Sequence, residues 1–405
     1  MTSIFQKNPY VFIDKEDNRK LVNTVTGEKL LCGEKIIEII SFLEEPKNLS
    51  DITLHFEEIK NDIPNVLSSL VAKKFLIKNQ EFEKAITALK PYTPHLFNLP
   101  QLLEKTHSNI TEASVGFIGI PLGIGNRGNG AAGNFPNILR AFTSKYGVNL
   151  STKISFDSIG STNEFEQILD LIQQKKLFDL GNIFFDSKES PHFMYKKIHT
   201  ISKKIFVEAK IIPFFIGGDH SISYPIIKAA LDKYGEDLCV LHFDAHTDTY
   251  KSTYDKINHN HDIHHHGNFL SKCFEVGLKH AYQFGIRGIV NMNQKSNENQ
   301  TIYWAHQIQE ILSNEIVIKS LPKDKKYYIT FDFDVIDPIY FKGTSTPVIN
   351  GLTIRECKQL LRKVLHDKEI IGIDIVELYG DNEEAEITKQ IACEIIFELL
   401  NGINN

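Results

Sequence analysis

Three short blocks rich in Asp and His, each directly behind an apolar stretch, limit what this 405-residue chain can fold into. They are Gly217-Gly218-Asp219-His220-Ser221, Asp244-Ala245-His246-Thr247-Asp248 and Asp332-Phe333-Asp334-Val335-Ile336-Asp337-Pro338. The stretches before them, Ile211 to Ile216, Leu238 to Phe243 and Tyr327 to Phe331, read as buried strands. Alternation along an extended chain is expected to put Asp244, His246 and Asp248 on one side, and likewise Asp332 with Asp334. Carboxylates and imidazoles converging on one spot repel each other unless cations lie between them. A carboxylate-rich donor set with His220 and His246 and no Cys fits hard or borderline ions. Mn²⁺ fits best, with Mg²⁺, Fe²⁺, Co²⁺ or Zn²⁺ admitted. Two such ions about 3.5–4 Å apart would supply a shared hydroxide at neutral pH, suited to hydrolysing a poor electrophile. A single Asp-x-Asp is more often a solvated loop; three blocks in order behind apolar strands are not.

From residue 113 onward the pattern repeats strand, loop and helix. Helical stretches are expected at Pro225 to Tyr234, Thr301 to Leu312 and Thr353 to Leu365, the last capped by Thr353 with Glu356 as its partner. This rhythm predicts an α/β fold, a three-layer α-β-α arrangement with a mostly parallel sheet. Ligands in such sheets bind beyond the carboxyl ends of the strands, where the three blocks fall.

Residues 1–80 are a different object. Strands are expected at Tyr10 to Ile13, Arg19 to Val25 and Phe75 to Ile77. Helices are expected at Gly33 to Leu43, from Leu49 with Ser50 as cap, and at Ile63 to Lys73. The plan is that of a small winged-helix-like α+β domain. It carries 11 Lys and Arg against 12 Asp and Glu, a net charge of −1, whereas a DNA-reading winged helix would be basic. Residues 81–112, punctuated by Pro91, Pro94 and Pro100, read as a partly helical connector to a catalytic domain at 113–405.

Composition narrows the class further. Apolar residues make up 42% and charged residues 24%, as in a soluble globular protein. The net charge of −6 argues against a nucleic-acid partner. No run of about 18 apolar residues predicts a membrane helix, and the first ten residues do not read as a signal peptide. The five Cys are scattered, as in a reduced, cytoplasmic protein.

The three blocks resemble the signatures of the ureohydrolase family, the arginases, agmatinases and their relatives. Further segments resemble that family: Ile118-Gly119-Ile120-Pro121, Asp179-Leu180-Gly181-Asn182-Ile183, Phe284-Gly285-Ile286-Arg287, Gly343 to Pro347 with Gly351-Leu352-Thr353, and Asp374-Ile375-Val376-Glu377. The resemblance implies two Mn²⁺ ions per subunit held by His220, Asp244, His246, Asp248, Asp332 and Asp334, with Asp244 and Asp332 bridging. It implies that Glu377 holds the guanidinium group and that a His before Gly carries a proton to the leaving amine. His259, His261, His264, His265 and His266 crowd one loop, and His266 alone precedes Gly. Homo-oligomers are also implied.

The chain departs from the family pattern in several places, Asn182 standing where the family keeps Asp being one of them. The turn after Pro121 is unusually Gly-rich, Ser345 stands between two Thr where the family keeps Gly, and Leu378-Tyr379 follows Glu377. No segment matches the arginase grip on free α-amino and α-carboxyl groups. The Gly-rich turn has the look of a phosphate cradle but lacks the Gly-Lys-Ser/Thr that would complete one. The N-terminal domain resembles PqqD-like elements that bind leader peptides in ribosomal peptide pathways. Together these features suggest a peptide arginase that converts arginine in a precursor peptide to ornithine. The alternatives are a small-molecule ureohydrolase (arginase, agmatinase, guanidinobutyrase or formimidoylglutamase) and a metal-binding regulator with a DNA-reading domain.

Overall fold

A computed structural model describes residues 3–8, 10–14, 19–23, 28–78, 89–100, 114–126, 130–146, 168, 170–186, 189–208, 211–250, 264–314, 321–380 and 385–403. It divides into two compact units, Met1–Ala88 with Phe185–Lys197, and Leu89–Phe184 with Ile198–Asn405.

The first unit is β-rich. Its elements are β1 (Ile4–Lys7), β2 (Val11–Ile13), β3 (Lys20–Asn23), β4 (Lys29–Leu31), α1 (Glu34–Phe42), β5 (Lys47–Asn48), α2 (Leu49–His55), α3 (Ile63–Ala72) and β6 (Leu76–Lys78). β1 lies between β5 and β6 and is antiparallel to both; β2, β3 and β4 form a second antiparallel sheet. Phe5, Ile39, Ile40, Leu67 and Phe75 share its core. The three expected helices are present. β1 went unread because its central residues are Phe5 and Gln6, too short a run to show a period of two. The α2 cap is Asn48, whose Oδ1 accepts from the Asp51 N–H at 2.8 Å, so the expected Ser50 cap is corrected by two residues. Phe185–Lys197 belongs to this unit and brings a buried Lys197–Glu189 ion pair. Burial, with Glu189 nearby, pushes the Tyr10 hydroxyl up to about 12.

In the second unit a nine-stranded sheet runs β13-β12-β11-β14-β15-β10-β8-β9-β7. The strands are β7 (Leu89–Lys90), β8 (Ser114–Gly119), β9 (Leu177–Ile183), β10 (Ile211–Ile216), β11 (Leu238–Phe243), β12 (His280–Ile286), β13 (Gln300–Trp304), β14 (Lys326–Asp332) and β15 (Glu369–Val376). All neighbours are parallel except β7, which runs antiparallel to β9. The connector therefore adds an edge strand to the sheet at Leu89–Lys90, followed by a short 3₁₀ turn, Leu96–Asn98. Residues 81–88 and 101–112 lie outside the described residues.

Helices cover both faces. Cys239, Leu241, Phe243, Ile329, Phe331 and Ile373 share one core with Leu360 and Leu361 of α8 (Ile354–Leu365) and Ile395 and Leu399 of α9 (Ala385–Ile403). On the opposite face His242 packs edge-on against Phe269 of α6 (Phe269–Glu275), and Thr330 meets Ser223 of α5 (Ser223–Tyr234). The chain between β8 and β9 includes α4 (Phe135–Thr143). The capping box of α8 forms as expected: the Glu356 N–H donates to Thr353 Oγ1 at 3.1 Å and the Thr353 N–H to Glu356 Oε2 at 2.8 Å. The helix expected at Thr301 to Leu312 is corrected. Its first half is β13, whose Thr, Ile, Tyr and Trp suit a strand, and only α7 (Ile308–Ser313) is helical. Among the described residues no helix is long and apolar enough to cross a membrane.

A buried ion pair anchors the β9 side of the sheet. The Arg140 guanidinium, fully buried on α4, donates to both oxygens of Asp179 at 2.8 Å and to the Gly181 carbonyl at 3.0 Å. Asn182, where the resembled pattern has Asp, accepts from Arg140 and donates to Asn137 Oδ1 at 2.7 Å.

Candidate metal centre

The three blocks converge, by a route that alternation along a strand does not describe. β11 ends at Phe243 and β14 at Asp332, so most of the site residues lie on loops beyond the strand tips. Asp248 has φ +50, the left-handed region that Asp tolerates. Asp332 caps a 3₁₀ turn at Phe333–Val335, its Oδ1 accepting from the Asp334 N–H at 2.8 Å. These local side-chain bonds turn the loops back over the sheet.

His220 Nδ1 stands 3.1 Å from each of Asp244 Oδ2, Asp248 Oδ2 and Asp332 Oδ2. His246 Nδ1 stands 2.9 Å from Asp334 Oδ2 and 3.4 Å from Asp244 Oδ1. Two groups able to hold a metal ion result: His220, His242, Asp244 and Asp248, and Asp244, His246 and Asp334. Asp244 belongs to both. Five of the six sequence-expected ligands thus fall in these groups, and Asp332 adjoins the first through His220.

The donor atoms fit a cation. His220 Nδ1 is buried without a hydrogen-bond donor or acceptor of its own and faces three carboxylates. The other ring nitrogen, Nε2, contacts Thr330 Oγ1 at 2.8 Å, and Thr330 donates to Asp374 Oδ1 at 2.6 Å. Thr330 spends its proton on Asp374, so Nε2 carries the ring proton and Nδ1 presents a lone pair to the pocket. Burial disfavours a charged ring, yet the three carboxylates hold the His220 pKa well above its ordinary value. Burial, Asp334 and Asp244 push Asp332 far above the carboxylate range. The pocket demands positive charge, and divalent cations satisfy that demand.

A buried polar row supports these groups from below. Gln283, His242, Thr330 and Asp374 are register partners on four adjacent strands, β12, β11, β14 and β15. Gln283 Nε2 donates to His242 Nδ1 at 2.7 Å and to the Thr247 carbonyl at 2.9 Å. His242 Nε2 then donates to Asp244 Oδ2 at 2.8 Å. That bonding makes His242 a support for Asp244 whose ring nitrogens are both engaged. Asn291 braces the Asp244–Asp248 loop, donating to the Ala245 carbonyl at 2.9 Å and accepting from the Tyr250 hydroxyl at 2.7 Å. Arg287 clamps the third block, donating to the carbonyls of Gly285, Asp334, Val335 and Val348 at 2.7–3.2 Å. The sequence reading missed His242, Gln283, Thr330 and Asn291. For His242, Gln283 and Thr330 the available signal was a polar residue inside an otherwise apolar strand; Asn291, in a 3₁₀ turn, offered none.

Glu377 lies beside the pockets, buried and with φ +60, a strained backbone for Glu. Its Oε1 accepts from the His220 backbone N–H at 3.1 Å and lies 3.2 Å from His266 Nδ1. Burial works against both charges, but the contact with His266 lowers the Glu377 pKa and raises that of His266. His264 donates to the Ser221 carbonyl at 2.6 Å, and burial drives its pKa down to about 4. His265 accepts from the Gly267 N–H. Among the described His of this loop only His266 meets Glu377. His259 and His261 lie outside the described residues.

The Gly-rich turn is filled from within. The N–H groups of Gly125 and Asn126 donate to Asp219 Oδ2 at 2.7 and 3.2 Å, so a carboxylate of the chain occupies the cradle. Glycine is required at 125, where a Cβ would lie 2.4 Å from Ser221 Cβ, and at 218, where it would lie 1.7 Å from the Leu122 carbonyl oxygen.

A mostly parallel sheet with carboxylate–imidazole pockets beyond its strand tips defines an α/β protein with a candidate two-metal centre. Comparison with known proteins makes this specific. Residues 113–401 match the arginase family. An agmatinase of Escherichia coli O1:K1 / APEC is 28% identical over 290 residues, covering 70% of this chain and 85% of that relative. Two solved structures share the fold. A hypothetical agmatinase from Burkholderia thailandensis has a TM-score of 0.62 at 24% identity, covering 78% of this chain and 93% of that one. Proclavaminate amidino hydrolase from Streptomyces clavuligerus has a TM-score of 0.60 at 23% identity, covering 78% and 98%. The chain belongs to the arginase family and is a hydrolase acting on guanidino C–N bonds.

Proposed function

We propose that the chain hydrolyses a guanidino group to urea and a primary amine, and that its substrate is an arginine side chain within a precursor peptide, converted to ornithine. The observation carrying the chemistry is the pair of pockets sharing Asp244, set beside buried Glu377. His220, Asp244, Asp248 and Asp332 would hold one divalent cation, and His246 and Asp334 a second, with Asp244 and Asp332 reaching both; the donor set favours Mn²⁺. Two such ions supply Lewis acidity and a hydroxide nucleophile at neutral pH. Glu377 offers a carboxylate to a planar cation, the fork geometry that best holds guanidinium. His266, 3.2 Å from Glu377 Oε1, is placed to hold the proton that the leaving nitrogen takes up. The balance is guanidinium plus water giving ammonium plus urea.

The N-terminal unit supports the peptide reading. Its stretch Met1–Ala88 precedes the family match, which begins at residue 113. Its β5-β1-β6 sheet has β5 and β6 as outer strands, and an outer strand can accept a peptide as an added strand. Tethering there would raise the local concentration of a peptide substrate. Identity to an agmatinase favours the second reading, a free guanidino compound such as agmatine.

The test is to give the Mn²⁺-loaded full chain free arginine, agmatine, and one arginine-containing precursor with and without its leader. The peptide reading expects a loss of about 42 Da per arginine, the CN₂H₂ unit that becomes urea, and faster loss with the leader attached. Rapid urea from the small molecules with an untouched peptide would select the second reading.

A further inference from the structure

His266 opens a short 3₁₀ turn, His266–Asn268, that leads into α6. Both flanks of this turn are tied to the metal loops. Upstream, His264 donates to the carbonyl of Ser221, the neighbour of His220, at 2.6 Å. Downstream, the Leu270 and Ser271 N–H groups donate to the Asp248 carbonyl at 3.1 and 3.4 Å. The turn itself is held by Tyr250. The Tyr250 N–H donates to the Gly267 carbonyl at 3.2 Å. Its ring lies along Gly267, where a Cβ would come within 3.3 Å of Tyr250 Cδ2.

The far end of that ring is fastened as well. Its hydroxyl donates to Asn291 Oδ1 at 2.7 Å, the same oxygen that accepts from the Thr247 N–H at 3.3 Å. Asn291 Nδ2 donates to the Ala245 carbonyl at 2.9 Å and to the Arg287 carbonyl. Arg287 in turn donates to the Asp334 carbonyl at 2.7 Å. A planar ring with an anchored hydroxyl thus joins the His266 turn to the loops that carry Asp244, Asp248 and Asp334. Tyr suits this place, since it offers a rigid apolar body and a polar tip that finds a partner.

We propose that Tyr250 is a positioning residue for proton transfer: it fixes the His266 imidazole relative to the metal pockets, through Gly267 on one side and Asn291 on the other. The inference rests on the reading of His266 as the group that serves the leaving nitrogen. Proton transfer needs heavy atoms about 2.6–3.2 Å apart, and a misplacement of about 1 Å costs on the order of 10²-fold. A turn free to shift would keep His266 within reach of its partners only part of the time. Tyr250 removes that freedom without touching the reacting atoms itself.

The test uses the Mn²⁺-loaded full chain and whichever guanidino compound it hydrolyses. Tyr250→Phe keeps the ring and loses its anchor, and should lower kcat about tenfold; Tyr250→Leu loses both and should lower it about 10²-fold. KM and bound metal should stay within about twofold of wild type. In a His266→Ala background the same substitutions should cost less than about twofold more, because they act through the imidazole. Losses that multiply in full in that background, a raised KM at unchanged kcat, or loss of metal would overturn the proposal. A second readout needs no turnover. Carbethoxylation of His266 by diethyl pyrocarbonate, located by mass spectrometry, should run several-fold faster in Tyr250→Leu than in wild type, because the ring is no longer held in place. An equal rate would likewise overturn the proposal. A wild type that releases urea from no guanidino compound, while Tyr250→Leu still frees His266, would sink the functional reading and leave the positioning role standing.

Discussion

His220 Nε2 lies 2.8 Å from Thr330 Oγ1, and this contact decides which nitrogen of His220 faces the carboxylates. Thr330 in turn gives its proton to Asp374. Replacing Thr330 with Val keeps the shape and removes the relay. Metal affinity is expected to fall about 10–100-fold, the usual effect of losing such a partner. Titration of the metal-free protein with Mn²⁺ checks it; an unchanged affinity would show that the ring orientation is set elsewhere.

Glu377 is expected to matter to the substrate and not to the metal. Glu377→Gln should lower kcat/KM by about 10²-fold or more, since a charged hydrogen-bond partner is lost. Metal content should stay at the wild-type value. A variant that loses its metal instead would place Glu377 among the ligands.

The His266 ring is expected to titrate above its ordinary value of about 6.5, because Glu377 outweighs the opposing effect of burial. A raised pKa means that this pair stabilises the fold fully below about pH 6.5 and that the contribution is lost as pH rises through the folded value. Proton resonances of the imidazole in wild type and Glu377→Gln give the measurement. The variant should titrate at lower pH than wild type, and equal values would contradict the pairing.

Arg140 and Asp179 offer a test away from the site. Burial raises the Asp179 pKa, but the bidentate Arg140 contact wins and lowers it. Stability from this pair is present above the unfolded pKa of about 3.9 and is lost as pH falls through the lower folded value. Asp179→Asn should cost about 3–5 kcal/mol at pH 7, the expense of a buried charge left unpaired, and less at an acid pH below the folded Asp179 value. Denaturant unfolding at the two pH values would show the difference; an equal loss at both would mean that the pair carries no charge-dependent stability.

Some of this was legible in the sequence and some was not, for physical reasons. Asp244, Asp248, Asp332 and their neighbours announce themselves because so many carboxylates directly behind apolar strands repel one another unless cations lie between them. Alternation brought them together on paper, whereas the loops do so in the protein, through Asp332 capping its own turn and the left-handed Asp248. The row Gln283, His242, Thr330 and Asp374 was invisible because it depends on the register of four strands far apart in sequence. Asn48 and Ser50 are both good caps, and only the entry of the chain into α2 chooses between them. The strand at Gln300–Trp304 was there to be read in its β-branched and aromatic residues, and the helical period beyond it obscured that signal.

The central claim, a two-metal hydrolase of guanidino groups, is tested most directly by counting urea against bound metal. Protein stripped with chelator and dialysed should release no urea from arginine, agmatine or an arginine-containing peptide. Adding back Mn²⁺ should restore release on at least one of them, reaching a plateau at two ions per chain. Urea release that survives complete metal removal, or none at any Mn²⁺ loading on any of the three, would contradict the account.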